Sequence, residues 1–428
     1  MDRNLFRSVK KASALLALSA ESERNDALTA IADALVRNRQ RIKEANTADL
    51  EEAERNGEKS SLISRLKYSD DKMKQSVTGL ETVRSLPDPM FRTREKREID
   101  TSFVLEKVTV PLGVIGMVFE ARPDALVQIA SLALKSGNGL ILKGGREAAR
   151  TNRVLVDVIK EATSSFSFTS DWIEALETRE DVSELLKADE WVDLIIPRGS
   201  NSFVRYVMEN THIPVLGHSD GLCITYVEKT ADVNEALKIL VDAKTQYPAA
   251  CNATETILVD EEIAPSLLPL LDKAFAEKGV KIHADSASIG YLPSAVPAND
   301  SDWDTEYLAL ECAVKTVKNE EEAVRHIAEH SSKHTDAIIT SDRAAADYFV
   351  HSVDSADVFV NCSTRFADGF IFGLGSEVGI STSRLHARGP VGLDGLMTTK
   401  WILRGHGETV AQYSGAESER TFHFRELL

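Results

Sequence analysis

Cysteine is scarce in this chain, basic residues are outnumbered by acidic ones, and long apolar runs are missing. The four cysteines, Cys223, Cys251, Cys312 and Cys362, stand far apart with no C-x-x-C pair. That spacing argues against a disulfide framework and suits a reducing compartment, so a cytoplasmic protein is expected. Lys and Arg number 50 against 67 Asp and Glu, a formal net charge of −17. Such a charge repels phosphate backbones and anionic headgroups, which excludes nucleic acid and membrane surfaces as first choices of partner. An anionic substrate would need a local basic pocket. No stretch is long and apolar enough to cross a bilayer, and no low-complexity tract points to disorder.

What is present is ordinary globular composition, 43% hydrophobic and 27% charged over 428 residues. A chain of that length is expected to divide into two or three domains. The opening MDRNLFRSVKKASALLALSA imitates a secretory signal, but Leu5, Val9, Ala12 and Leu16 fall at helical spacing, and Leu28, Ile31, Ala32 and Leu35 repeat the pattern. We read it as ordinary helix. Residues 1 to about 87 read as consecutive helices, because apolar positions recur at three and four spacings while Gly and Pro are scarce.

From Arg92 to Pro111 the pattern alternates, through Ile99, Val104, Val108 and Val110, which predicts a hairpin or edge ribbon. After Pro111 strands and helices alternate as in a parallel sheet covered on both faces. Strands are expected at 113–119, 139–142 and 193–196, and helices at 123–136, 147–162 and 200–209. A second alternating region starts near Leu222, with strands at 222–227, 255–259, 337–340 and 358–361 and helices at 233–244, 262–277 and 319–329. Glycine becomes frequent from Gly369 to Gly395, a loop-rich stretch able to line a mouth.

Cys251 lies in Tyr247-Pro248-Ala249-Ala250-Cys251-Asn252-Ala253-Thr254, small residues between a helix and a strand. A nucleophilic thiol needs a turn that exposes sulfur, small neighbours that admit a carbonyl, and N–H groups aimed at the oxyanion. A buried structural cysteine is the competing reading. No G-x-G-x-x-G opens a helix; Gly373-Leu374-Gly375-Ser376-Glu377-Val378-Gly379 has its third glycine misplaced and reads as loop. Better anion sites are Lys143-Gly144-Gly145-Arg146-Glu147 and Pro197-Arg198-Gly199-Ser200-Asn201, each a strand end before a helix start. Ordinary turns are the alternative. His326-Ile327-Ala328-Glu329-His330, with His334 one turn on, spells the H-x-x-E-H pattern of a zinc peptidase, but no distal acidic ligand is identifiable, so no metal site is expected.

Taken in order, four further stretches join the Cys251 loop: Pro111 to Pro123, Ala323 to Ile338, Asn361 to Phe366 and Leu385 to Pro390. Together they resemble the aldehyde dehydrogenase superfamily, and within it the branch that reduces γ-glutamyl phosphate. The resemblance implies an α/β fold of that superfamily: a Rossmann-type cofactor domain over 1–222, an α/β catalytic domain over 223–385, and a C-terminal return over 386–428. Residues 93–111 and the C-terminal strand would form a projecting β-ribbon for oligomerisation, so a homo-oligomer is implied. Cys251 would be the nucleophile. Lys143 would reach the adenosine ribose, Arg146 would favour the 2′-phosphate of NADP(H), Gly199 and Ser200 would lie by the pyrophosphate, and Glu306 would hold the nicotinamide ribose.

Two departures are informative. Hydrolytic members carry a general-base glutamate where this chain has Val215 before Leu216-Gly217, which disfavours deacylation by water. Arg122 stands where the superfamily places an oxyanion-binding asparagine, and would serve either the oxyanion or the leaving phosphate. The implied reaction is NADPH-dependent reduction of L-glutamyl 5-phosphate through a cysteine thioester, in proline biosynthesis, with glutamate 5-kinase a conceivable associate. Arg365, Arg384 and Arg388 are candidates for the substrate's α-groups. A zinc hydrolase on His326 and His330, and a catalytically silent interaction module, are the rival readings.

Overall fold

The computed structural model describes residues 3–428 except 121, 177–178, 219 and 415–417. The entry segment is helical as the periodicity requires: α1 (Arg3–Leu16), α2 (Glu21–Arg37), α3 (Arg39–Arg55), α4 (Ser60–Leu66) and α5 (Asp70–Ser85). Ser69 caps α5 by accepting from the Lys72 N–H. Leu16, Ile31 and Leu35 from these helices join Leu132, Ile115 and Leu140 in one core, so the helical entry is a layer of the first α/β unit. Buried Arg24 pins it, donating to the Lys135 carbonyl and in a fork to both oxygens of Asp88.

The alternating segment forms the hairpin β1 (Thr93–Asp100) and β2 (Phe103–Pro111), turning at Ser102 with φ 62°. The first parallel sheet follows, with β3 (Val114–Phe119), α6 (Pro123–Lys135), β4 (Gly139–Lys143), α7 (Ala149–Thr163), β5 (Ile173–Leu176), α8 (Arg179–Leu185), β6 (Leu194–Arg198) and α9 (Asn201–Glu209). Its order is β5-β4-β3-β6. β5, a four-residue strand of mixed character, is too short to declare itself by periodicity.

The second unit contains β7 (Cys223–Val227), α10 (Val233–Thr245), β8 (Thr254–Asp260), α11 (Ala264–Lys278), β9 (Lys281–Ala284), β10 (Val296–Pro297) and β11 (Glu311–Val317). It continues through α12 (Glu320–His330), β12 (Thr335–Ile339), α13 (Arg343–Ser352) and β13 (Asp357–Val360). The seven strands order as β10-β9-β11-β8-β7-β12-β13, all parallel. The unforeseen interior strand β11 carries Glu311 and Lys315 among its apolar residues, which masks a buried run. Residues 369–379 are loop, with Gly373 at φ 74° and Gly375 at φ 71°, and no helix follows before β14 (Ile380–Ser381) and β15 (Gly389–Pro390).

The chain then returns to the hairpin. β16 (Met397–Arg404) pairs along β2 and β17 (Arg425–Glu426) pairs with β1, giving a four-stranded antiparallel sheet.

Candidate active site

The carboxyl ends of β3, β4 and β6 share one edge, because Val118 stands opposite Lys143 and Phe119 opposite Arg198. Ligands of open α/β sheets bind at that edge. The residues picked from sequence at 143–146 and 198–200 therefore meet Glu120 and Arg122, which follow β3. Lys143 is buried, its ammonium donating to the Gly144 carbonyl, and burial lowers its pKa. Arg146 is exposed.

At the start of α9 the Ser200 N–H donates to Glu120 Oε2 at 3.2 Å. A carboxylate thus sits where a helix start favours an anion. Asn201 Nδ2 donates to Glu306 Oε2 at 2.5 Å, so Glu306 reaches the same helix from the second unit. A Cβ on Gly199 would stand 2.9 Å from the Glu120 carboxyl. Nearby, buried Asn152 has both side-chain polar atoms unpartnered, beside a cavity lined by Gly144, Gly145 and Arg150. A lysine, a helix start that Glu120 would have to vacate for a phosphate, an orphaned amide and a glutamate across the cleft fit a nicotinamide dinucleotide. Arg150 is already paired with Asp49 and Glu52.

The amino edge of the second sheet supplies the thiol. Cys251 is half-buried in the turn before β8, whose Ala253 N–H donates to the Ala250 carbonyl. Gly221 passes directly beneath it: a Cβ there would lie 2.3 Å from the Cys251 carbonyl oxygen. Cys223, first residue of β7, donates its thiol to that oxygen at 3.3 Å. Asn252 is buried and spends its amide on the Ala367 carbonyl at 2.8 Å. The other three cysteines have pKa values raised by burial, Cys312 to about 12, so they are inert as nucleophiles.

Two imidazoles unforeseen beside the thiol lie together near it. One donor atom each from His218, Cys251 and His334 lie within 4.8 Å of one another. The two rings meet edge to face, centroids 4.7 Å apart. His218 Nδ1 is 2.8 Å from the Ile380 carbonyl. His334 is fully buried just before β12. Its segment is anchored by Asp336, which accepts from the Ile224 N–H at 2.8 Å and from the Ser331 and Ser355 hydroxyls. Burial raises the Asp336 pKa to about 6.

The zinc-peptidase pattern, already set aside, would have needed His326, His330 and His334 on one helical face, and the structure separates His334 from the other two. α12 ends at His330 and the chain turns at Lys333 with φ 63°. His334 therefore joins Cys251, while His326 and His330 stay together, ring centroids 4.4 Å apart, with His330 on Asp304.

Across the cleft stand two guanidiniums. Arg122 is exposed at the start of α6, and Arg198 ends β6 half-buried. Burial and the Arg122 cation lower the Arg198 pKa, while Glu377, Cys251 and Asp124 oppose the shift. Arg198, named at first only as part of a turn, is thus electrostatically coupled to the thiol. Arg365 donates to Gln246 at 3.0 Å and lies over Tyr247, beside the Cys251 turn. Arg384 and Arg388 are both committed to Asp354, whose pKa they pull down to about 2. Val215 carries no carboxyl and bridges to Ile195.

A half-buried thiol coupled to Arg198, together with a strand edge able to take a dinucleotide, fits a thiol-dependent oxidoreductase of the aldehyde dehydrogenase type. The aldehyde dehydrogenase family profile matches residues 3–300. The gamma-glutamyl phosphate reductase of Pelotomaculum thermopropionicum is 51% identical over 428 residues, covering 100% of this chain and 98% of that protein. That of Ruminiclostridium cellulolyticum is 50% identical over 420 residues, covering 98% and 96%. The crystal structure of gamma-glutamyl phosphate reductase from Thermotoga maritima superposes with a TM-score of 0.93 at 38% identity, covering 95% of this chain and 99% of that one. The chain belongs to the aldehyde dehydrogenase family and, within it, to the gamma-glutamyl phosphate reductases. An acetylating aldehyde dehydrogenase from Geobacillus thermoglucosidasius, at 15% identity and a TM-score of 0.65 over 95% of this chain and 97% of that one, shares the fold.

Proposed function

We propose that this chain reduces L-glutamyl 5-phosphate to L-glutamate 5-semialdehyde with release of phosphate, through a thioester on Cys251, as the second step from glutamate to proline. The observation that carries the reading is the position of Cys251, its sulfur beside two imidazoles and within the field of Arg198. An imidazole of His218 or His334 takes the thiol proton, and the thiolate attacks the acyl carbon. Arg122 and Arg198 neutralise the departing phosphate dianion. The reduced nicotinamide, when bound, supplies the hydride that brings the acyl group to the aldehyde level.

Lys143, Gly199, Ser200 and Glu306 hold the cofactor, and exposed Arg146 supports a preference for NADPH through its 2′-phosphate. Val215, with no carboxyl, leaves water unactivated, so the thioester is preserved for reduction. Arg365, bonded to the neutral Gln246 where Arg384 and Arg388 are committed to Asp354, is the candidate for the substrate carboxylate. Two separate parallel sheets support the division near residue 222. Four free thiols support a reducing, cytoplasmic location, and among the described residues no helix is long and apolar enough to cross a membrane. β16 is an exposed edge strand bearing Trp401 and Leu403, which supports pairing with a second copy.

The test is the reverse reaction: phosphate-dependent reduction of NADP in the presence of pyrroline-5-carboxylate, the cyclised semialdehyde, with Cys251→Ala alongside. Activity that requires phosphate and disappears in the variant supports the reading. A folded wild-type protein that gives no signal with either nicotinamide cofactor refutes the substrate.

A further inference from the structure

We propose that His218, Cys251 and His334 form a zinc-binding site, and that zinc captured there switches the enzyme off reversibly by tying up its thiol. The regulatory consequence rests on Cys251 being the nucleophile; the site itself does not.

The ligand set comes first. Zinc prefers thiolate and imidazole donors and is held by three protein groups where a fourth position stays open. The three donor atoms lie within 4.8 Å of one another. Bonds of about 2.3 Å to sulfur and 2.0–2.1 Å to nitrogen in a tetrahedron separate the donors by roughly 3.4–3.6 Å. Closing on an ion therefore asks for movements of about an ångström, within the reach of a half-buried cysteine on a turn and a half-buried histidine on a loop.

The orientation of the rings points the same way. The partner of His218 Nδ1 is a backbone carbonyl, which can only accept, so that nitrogen carries the proton and Nε2 presents a lone pair. His334 Nδ1 is 2.8 Å from the Thr335 hydroxyl, which lies 3.4 Å from Asp357 Oδ2. With Thr335 donating to the carboxylate, its oxygen accepts from Nδ1, and Nε2 is again the lone-pair nitrogen. A ligating histidine is commonly fixed by a carbonyl or a carboxylate chain on its other nitrogen in this way.

An unmet need completes the case. His334 is 0% exposed and its Nε2 has no hydrogen-bond partner. A buried acceptor left unpaired costs on the order of 1–3 kcal/mol. A metal bond would relieve it. Zinc binding exchanges the Cys251 S–H bond for an S–Zn bond and releases the proton to solvent, with no change of oxidation state. The open fourth position takes water or phosphate.

Competition between full-length protein and a chromophoric chelator for Zn2+ should give one ion per chain. His218→Gln and Cys251→Ser should each weaken it at least tenfold, whereas His330→Gln, in the exposed pair with Asp304, should not. His218 is half-buried, so His218→Gln carries the test if His334→Gln fails to fold. Equimolar zinc should slow iodoacetamide labelling of Cys251 at least tenfold, with EDTA restoring it. Zinc affinity unchanged in His218→Gln, binding lost only in His330→Gln, or unprotected Cys251 would each overturn the proposal. These readouts need no substrate, so protein that binds zinc here yet fails to oxidise pyrroline-5-carboxylate would refute the functional reading and leave the site standing.

Discussion

Gly221 has no room for a side chain, and the reason is Cys251, the proposed nucleophile. A Cβ built there would lie 2.3 Å from the carbonyl oxygen of Cys251, 2.6 Å from its Cα and 2.6 Å from its Cβ. Two of the three obstacles are backbone atoms, so a change of rotamer cannot clear them. Restoring ordinary contact at about 3.4 Å requires one strand of chain to move by roughly an ångström. The Gly221 side is held by the Leu222 N–H on Ser332 and the Ile224 N–H on Asp336, both at 2.8 Å. The Cys251 turn yields instead, and its carbonyl leaves the Cys223 thiol. Overpacking of this kind costs about 1–3 kcal/mol in stability. An ångström of displacement at a reacting atom lowers kcat by about 10²-fold. We therefore expect Gly221→Ala to fold, melt slightly lower and lose about two orders of magnitude in phosphate-dependent NADP reduction. Gly79→Ala is the control, since nothing lies within 4 Å of its added Cβ and it sits in α5; it should gain about 0.5–1 kcal/mol. A folded Gly221→Ala protein with kcat within threefold of wild type would refute the argument.

Lys244 and Glu255 form a fully buried ion pair at 2.5 Å. Glu255→Ala strands the lysine and should destabilise by about 3–5 kcal/mol in thermal unfolding, while Lys244→Met with Glu255→Leu should recover most of that. Because Glu255 also accepts from the Leu308 N–H at 3.3 Å, near Glu306, the single variant should raise the KM for the cofactor as well. His326 is held neutral by burial, with His330 and Lys315 adding to the effect, and its pKa falls from 6.5 to about 3. The unfolded chain then binds more protons between those values, so stability falls as pH drops from about 6.5 toward 3. His326→Phe should flatten that limb of a stability–pH profile, and an unchanged slope would reject the assignment. Arg198→Met should lower kcat/KM for the reverse reaction by about 10²–10³-fold with the melting temperature little changed, the loss expected when an oxyanion-stabilising group is removed. Trp401→Asp on the exposed edge of β16 should shift the protein toward monomer in light scattering.

Local pattern was enough for the elements that repeat. The helical entry and the strands at 114–119 and 223–227 follow from spacing alone, since each buries one face or both, and the half-buried hairpin at 93–111 follows from its alternation. The thiol loop was legible for a similar reason: small residues between a helix and a strand constrain what the turn can do. Strand β11 escaped because Glu311 and Lys315 sit in it, Glu311 bonded to Lys281 and His283 of the neighbouring β9. Its burial is created by the sheet and not by its own composition.

The groups around Cys251 escaped for a deeper reason. His218, Cys251 and His334 come from three separate segments, brought together only because β7, β8 and β12 are neighbours whose amino ends share an edge. The pattern that did look like a metal site, His326 to His334, depended on one uninterrupted helix, but α12 ends at His330 and the left-handed turn at Lys333 beyond it sends His334 to the thiol. Arg198 is hidden by the same logic, since its partner Arg122 is 76 residues earlier and meets it only across β3 and β6. The net charge of −17 makes that meeting matter. In a chain that repels anions at long range, two arginines near one strand edge would, on the proposed reading, ease the approach of a doubly charged phosphate to the sulfur. Removing either should therefore cost more at low ionic strength, where the repulsive field reaches farther, than at high.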